Sequence, residues 1–390
     1  MSVATNNSVP KGRTLAAQPT RNASRWIIAG IVLAIGILFF TLANEDWFTI
    51  VNYMLIAAIA ALGLNVLSGY TGQVSLGIAF FMAIGAYTAA LLGDPAPTSS
   101  FSPMGYHLSF LIWLPAAGLV AALAGALIGP TALRLKGFYL GIVSLALVFI
   151  GQYLFKNIRT LTGGPQGRAF PIPVIGDASL DQQNSFFGMA LTSGQQYFLL
   201  ILIVLVGAAF FVQNVMRSRA GRAFQAVRDN ETGAAIMGVN LFEAKMGAFV
   251  LSSFLAGLAG ALFASFSRYV IPDYWGLTLS IQFVAAIIVG GIASVWGSIL
   301  GAAFIFGLPL VLDHFMLFPP GTSAGGLNSG DLNALLYGLL IVVFLLFEPG
   351  GLVGIVRRGQ ALTRRLRKSG EEGDEPAEIT DLPPVSGERA

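Results

Sequence analysis

The chain has no cysteine and only two histidines in 390 residues, His107 and His314, which lie far apart in sequence. Without thiols there are no disulfide staples, no thiolate nucleophile and little means of holding a soft metal, and two isolated imidazoles do not make a metal enzyme. Charge is scarce as well. Asp, Glu, Lys and Arg supply 11% of the residues, against about 25% in soluble domains. No G-x-x-x-x-G-K-[ST] phosphate loop occurs, so any nucleotide chemistry belongs to another chain. In place of these groups, 55% of the residues are hydrophobic and the mean hydropathy is +0.74. That composition predicts an all-α integral membrane protein with no room for a large soluble domain. It also argues against an intramembrane enzyme, because serines with no acid or imidazole at the same depth lack the base that a nucleophile needs.

A helix needs about 20 residues to cross about 30 Å of hydrocarbon. Apolar windows fall near residues 26–43, 47–67, 74–92, 109–133, 137–155, 197–216, 246–266, 277–293, 296–312 and 332–347. None contains Asp, Glu, Lys or Arg, as expected of segments that face the cost of a charge in lipid. The same absence disfavours an ion-coupled transporter, which ordinarily places an ionisable group within its spans. About ten crossings with both termini cytoplasmic put 18 of the 22 Lys and Arg on one side and leave Lys156, Arg159, Arg168 and Arg268 on the other, the asymmetry of the positive-inside rule. All five tryptophans fall at or near window ends, where an indole ring can be buried with its N–H kept wet. The organisation predicted is a basic N-terminal tail over 1–25, a membrane domain over 26–355, and a tail over 356–390 that is basic and then acidic. The acidic stretch, Glu371 to Asp381 among Pro and Gly, has the composition of a disordered segment.

Three connections exceed a short hairpin. Residues 93–108 and 156–196 lie on the outer side in this topology. On the inner side, between Met216 and Met246, the chain carries Arg217, Arg219, Arg222, Arg228 and Lys245 with Asp229, Glu231 and Glu243. Such an island must leave the bilayer. Ala220, Ala223, Phe224 and Val227 repeat at helical spacing and predict one short helix. Asp229 is a candidate N-cap for a second helix, Gly238 a stop, and Asn240-Leu241-Phe242-Glu243 a capping box that opens the next span. The charges alone fit a connector that merely fixes topology. The apolar stripe favours a docking element, because Phe224 and Val227 on one face can press into a groove of another protein; a helix that binds only lipid is the remaining alternative. The basic cluster 357–368 fits either a topology anchor or contact with anionic lipid.

The segments Gly63-Leu64-Asn65-Val66-Leu67-Ser68-Gly69-Tyr70-Thr71-Gly72-Gln73-Val74-Ser75-Leu76-Gly77, Leu135-Lys136-Gly137-Phe138-Tyr139-Leu140 and Leu161-Thr162-Gly163-Gly164 resemble the permease subunits of branched-chain amino acid ABC importers. So do Gly221-Arg222-Ala223, Ala234-Ala235-Ile236-Met237-Gly238-Val239-Asn240 and Val289-Gly290-Gly291-Ile292-Ala293-Ser294-Val295-Trp296-Gly297, in the family's order from about residue 50 to 355. The likeness is nearer to the M-type subunit. It implies a multi-pass protein of the bacterial inner membrane, paired with an H-type permease, two cytoplasmic ATPases and an external binding protein, with no cofactor in this chain and no nucleic-acid partner. ATP would be hydrolysed by the partner subunits. The island then corresponds to the ATPase-coupling loop, with Gly221, Arg222, Ala223, Phe224, Arg228, Asp229, Ala234, Gly238 and Asn240 as its candidate residues.

For the translocation path, the Gly-rich stretches 68–73 and 290–294 are either tight turns or breaks in helices that turn backbone toward a cavity. Asn65, Gly69, Gln73, Ser75, Gly77, Ser144 and Gln282 are the path candidates, although buried polar side chains also tie helices together. The expected cargo is a branched-chain or other neutral amino acid. Urea, short-chain amides and a non-transporting scaffold are the alternatives.

Overall fold

The computed structural model describes residues 40, 43–93, 105–106, 108–132, 138–170, 173–175, 178–180, 184–186, 189–315, 329–347 and 351–354. The chain divides into two units, Met1–Trp47 and Phe48–Ala390. The expected crossing at 26–43 and both tails fall outside the described residues. Every other predicted window meets a helix: α1 (Glu45–Leu64, prolonged by a π-helical turn Asn65–Tyr70), α2 (Ile78–Gly93), α3 (Phe110–Ala132), α4 (Phe138–Asn157), α5 (Ser193–Arg217), α8 (Leu241–Ser267), α9 (Leu277–Gly290), α10 (Val295–His314) and α11 (Ser329–Phe347). Between α5 and α8 lie two short helices, α6 (Arg219–Asp229) and α7 (Glu231–Ile236). Six of the helices are long and apolar enough to cross a membrane; α2 and α9 are shorter, and α11 contributes the apolar stretch Ala334–Phe344.

Helices are the expected outcome because hydrocarbon offers no partner for a free backbone N–H or C=O. Side chains cap several of the helix starts. Thr192 and Gln195 form a reciprocal capping box at α5, and the Ser294 hydroxyl accepts from Gly297 N–H at 3.1 Å to open α10. The helical pattern is broken in the 156–196 connection, which contains two short antiparallel ladders, β2 (Val174–Ile175) with β3 (Ala178–Ser179) and β4 (Asn184–Phe186) with β5 (Met189–Leu191), and supplies β1 (Arg168–Ala169) to a third with β6 (Tyr269–Val270), which follows α8.

α1 and α8 form the centre. In these two, 78% and 72% of the apolar window is buried, against 22–39% in the other long helices. α8 packs most extensively on α3 and α2. The contact is close because small residues face each other: a Cβ at Gly260 would overlap the Met82 carbonyl, one at Gly85 the Gly257 carbonyl, and one at Gly257 the Ala121 side chain. Between membrane helices the driving force is such packing rather than water exclusion. α1 lies against α8 at Gly63, where the Leu255 side chain and Ser252 carbonyl approach, and Tyr53 stacks edge-on to Phe266 with ring centroids 5.0 Å apart.

The 27 residues of α8 span about 40 Å and separate two ends of the bundle. At one end lie α6 and α7. At the other, Arg168 and Ala169 pair with Val270 and Tyr269 just beyond Ser267. Tryptophan departs from expectation here. Trp113 and Trp275 are 2% and 1% exposed, core rings rather than wet anchors, and the Trp275 indole N–H is buried beside the Tyr87 hydroxyl. Trp296, by contrast, is 68% exposed.

Gly260→Ala should therefore force α8 away from α2 and cost about 1–3 kcal/mol of overpacking, whereas Gly207→Ala, with nothing within 4 Å of its Cβ, should not. Thermal unfolding of the detergent-solubilised protein, followed by loss of the monodisperse peak, tests the contrast; equal midpoints would refute it.

Candidate functional site

The charged island folds back on the bundle as a helical hairpin. α5 ends at Arg217, Ser218 takes an extended backbone, and α6 begins at once. The corner is tight, since a Cβ at Gly221 would overlap the Met216 backbone. Asn230 separates α6 from α7: its side chain accepts from Gly233 N–H at 2.9 Å, which makes Asn230 the N-cap and leaves Asp229 as the last residue of α6. The expected cap is thus displaced by one residue, because Asn230 is the residue whose extended backbone aims its amide oxygen along α7. Gly238 adopts φ +84° and ends the hairpin. Asn240 then accepts from the N–H groups of Phe242 and Glu243 at 3.1 and 3.3 Å and donates to Glu243 Oε1 at 2.8 Å, opening α8.

The apolar stripe of α6 faces the opposite way from the docking expectation. Gly221, Phe224 and Val227 are buried, Phe224 and Val227 to 4% and 1% exposure, within the same core as Ala244 and Ala248 of α8. They hold the hairpin on this chain. Ala223 is half-buried and Ala234 buried. Outward stand Arg217, Arg219, Arg222, Arg228, Asp229, Gly238 and Asn240, together with an apolar tip, Ile236 and Met237, at 82% and 86% exposure. Sequence reasoning missed that tip. The available signal was an Ile-Met pair directly before a glycine stop in an otherwise charged island. An open apolar groove of about 640 Å³ between α3, α5 and α8 reaches Ala220 and Phe224, and none of the path candidates lines it.

The two Gly-rich stretches meet at the same end of the bundle. The π turn at the end of α1 lies against the turn joining α9 to α10, so close that a Cβ at Gly69 would press on the Ala293 nitrogen. Asn65 links them: its Nδ2 donates to the Ser294 carbonyl at 3.0 Å and the Ser298 hydroxyl at 2.7 Å, and its Oδ1 accepts from Ala293 N–H at 2.9 Å. Ala293 is held at φ +59°, a left-handed backbone that costs a non-glycine residue about 1–2 kcal/mol. The 290–294 stretch is thus a strained tight turn between two helices.

The 71–77 stretch is a true break. From Thr71 to Gly77 the chain is non-helical, and hydroxyls satisfy part of its backbone: Leu76 N–H donates to Ser144 Oγ at 2.8 Å and Gly77 N–H to Ser75 Oγ at 3.3 Å, while in the first turn of α2 Ala79 N–H donates to Ser280 Oγ at 3.3 Å. Gln73 donates to Thr71 Oγ1 at 3.1 Å and to the Lys245 carbonyl at 3.4 Å. Asn65, Gly69, Gln73, Ser75, Gly77 and Ser144 are all buried, and Gln282 on α9 is half-buried. No cluster of metal-ligating side chains occurs among the described residues.

Asn65→Ala should strand the Ala293 N–H and release the strained turn, costing about 1–3 kcal/mol. A lowered denaturation midpoint with the helical content of the purified protein retained is the expected result, and an unchanged midpoint would dismiss the link.

The comparisons with known proteins agree with this architecture. Residues 47–345 match the family described as branched-chain amino acid transport system, permease component. The high-affinity branched-chain amino acid transport system permease protein LivM of Escherichia coli (strain K12) is 31% identical over 345 residues, covering 85% of this chain and 75% of that protein. The corresponding LivH of the same organism is 25% identical over 303 residues, 76% of this chain and 91% of that protein. A shorter likeness, 35% over 123 residues, links 30% of this chain to 34% of the autoinducer 2 import system permease protein LsrC of Enterobacter sp. (strain 638). No solved structure matches. With the match extending from α1 into α11, this multi-pass membrane protein belongs to the permease-component family of branched-chain amino acid transport systems.

Proposed function

We propose that the chain is the M-type permease of an ATP-driven importer that brings branched-chain or other neutral amino acids into the cytoplasm across the bacterial inner membrane. In this reading it crosses about ten times with both termini cytoplasmic, pairs with an H-type permease, and works with two ATPases and an external binding protein that delivers the cargo. The likeness to LivM supports the subunit type, and the likeness to LivH supports the pairing. Uncharged apolar windows suit a neutral or zwitterionic cargo. Urea and short-chain amides are the alternatives to be separated by experiment.

One observation carries the coupling role. The hairpin is anchored inward through Phe224 and Val227 and presents Arg222, Arg228, Ile236 and Met237 outward. An apolar tip exposed to water is costly, whereas against a partner it makes a compact contact. The ATPase would meet this face. The family-like Gly221, Ala223, Ala234, Gly238 and Asn240 shape the hairpin, while Asp229 sits at its outer edge. ATP-driven closure of the two ATPases would then shift the hairpin and rock the bundle between inward-open and outward-open forms.

The chain contains no native cysteine, which makes single-cysteine chemistry clean. Met237→Cys should be labelled by membrane-impermeant maleimide only from the cytoplasmic side and should cross-link to the ATPase in the intact complex; labelling from outside would overturn both topology and coupling role. For the cargo, ATPase activity of the reconstituted complex should rise severalfold with binding protein loaded with leucine, isoleucine or valine. Stimulation by urea or acetamide alone would move the assignment to the alternative.

A further inference from the structure

Besides its buried apolar stripe, the hairpin is tied to the bundle by an ion pair of unusual placement. Lys245 lies in the second turn of α8, its residue 8% exposed, and its Nζ sits 2.6 Å from Glu231 Oε1 at the start of α7. A lysine this buried near the membrane requires a partner, because an unpaired charge there is strongly destabilising. Glu231 is well suited, since an acid in the first turn of a helix meets the positive end of its dipole. Within α7 only Ala234 is buried, so the ion pair is a main link between this short helix and the bundle.

The same lysine touches the broken segment. Its carbonyl accepts from Gln73 Nε2, and Gln73 also donates to Thr71. One residue earlier, Gly72 at φ +70° lies directly against the Arg228 backbone and Cγ of α6, leaving 3.3 Å between that Cγ and the position a Cβ would take. The non-helical stretch Thr71–Gly77 is therefore met by α6 through Arg228 and by α8 through the Lys245 carbonyl, while the Lys245 side chain ties α8 to Glu231 of α7. Ser144 on α4 holds the stretch by its hydroxyl at Leu76, and Ser280 on α9 holds the first turn of α2 just beyond it at Ala79.

We infer that Lys245 and Glu231 are positioning residues forming a strut that carries displacement of the hairpin into the non-helical segment Thr71–Gly77, and so converts a push from outside the bundle into rearrangement of the helices at the break. This rests on the reading of the hairpin as the ATPase contact. It predicts that loss of the pair separates ATP hydrolysis from transport instead of abolishing both.

The test uses the whole importer in proteoliposomes with its binding protein, reading radiolabelled leucine uptake and ATP hydrolysis together. Lys245→Gln and Glu231→Gln should each lower uptake per ATP at least tenfold, with the ATPase still co-purifying and still cross-linking to Met237→Cys. Lys245→Arg should keep most of the uptake. The reciprocal exchange, Lys245→Glu with Glu231→Lys, should recover uptake relative to either single reversal, and it keeps the test decisive if a single variant folds poorly. Unchanged uptake per ATP in both single variants would overturn the strut, as would a parallel fall in uptake and hydrolysis or an exchange no better than the single reversals. If the wild-type cross-link itself is absent, it is the coupling assignment that fails and not the strut alone.

Discussion

A backbone amide inside hydrocarbon has no water to bond with, and nearly every feature of this protein follows from that constraint. Apolar stretches become helices because a helix satisfies its own N–H and C=O groups. Where the chain leaves the helix, between Thr71 and Gly77, hydroxyls of Ser75 and Ser144 take up amides of the break, the Ser280 hydroxyl takes up the Ala79 amide in the first turn of α2, and Asn65 does the same for the turn at Ala293. Polar residues that would be expensive in lipid thus stand where the backbone needs them. Their burial excludes lipid and water alike and gives the break a defined shape.

The same economy explains the central helices. α8 touches α2 and α3 so closely that Gly85, Gly257 and Gly260 have no space for a Cβ. Helices in contact along bare backbone can slide with little side-chain interference, whereas interdigitated large side chains would lock them. The charged hairpin is joined to the start of α8, where the helix leaves its apolar window and acquires Glu243 and Lys245. The hairpin thus meets the bundle at the foot of α8, next to a stretch whose backbone is bonded in part by side chains.

Much of this was legible in the amino-acid pattern. The windows from 47–67 onward met helices because uninterrupted apolar runs have few other solutions in lipid. Gly238 as a stop and Asn240 as the cap of α8 read correctly because a cap is a local interaction among residues close in sequence, although Glu243 bonds the Asn240 side chain and not its backbone N–H as a reciprocal box would. Other features were not legible. Phe224 and Val227 form a stripe with the right period, but periodicity states that a face is apolar and not what covers it; α8 covers it, leaving Ile236 and Met237 as the exposed apolar pair. Trp113 and Trp275 looked like interfacial anchors and are core rings, because position near a window end says nothing of neighbouring helices.

By itself, then, the sequence determined the class of protein, the position of its helices and the place where charge must leave the membrane, since each depends on hydropathy summed over a local stretch. Only the tertiary structure decided that Asn65 reaches Ala293 and Ser298, that Gln73 reaches Lys245, and that Lys245 reaches Glu231. The first two contacts join residues 172 to 233 positions apart, a separation at which no local preference acts. The last pairs charges that any count of side chains would have assigned to water. Packing brought them together, and the low polarity of their surroundings makes the pairing matter.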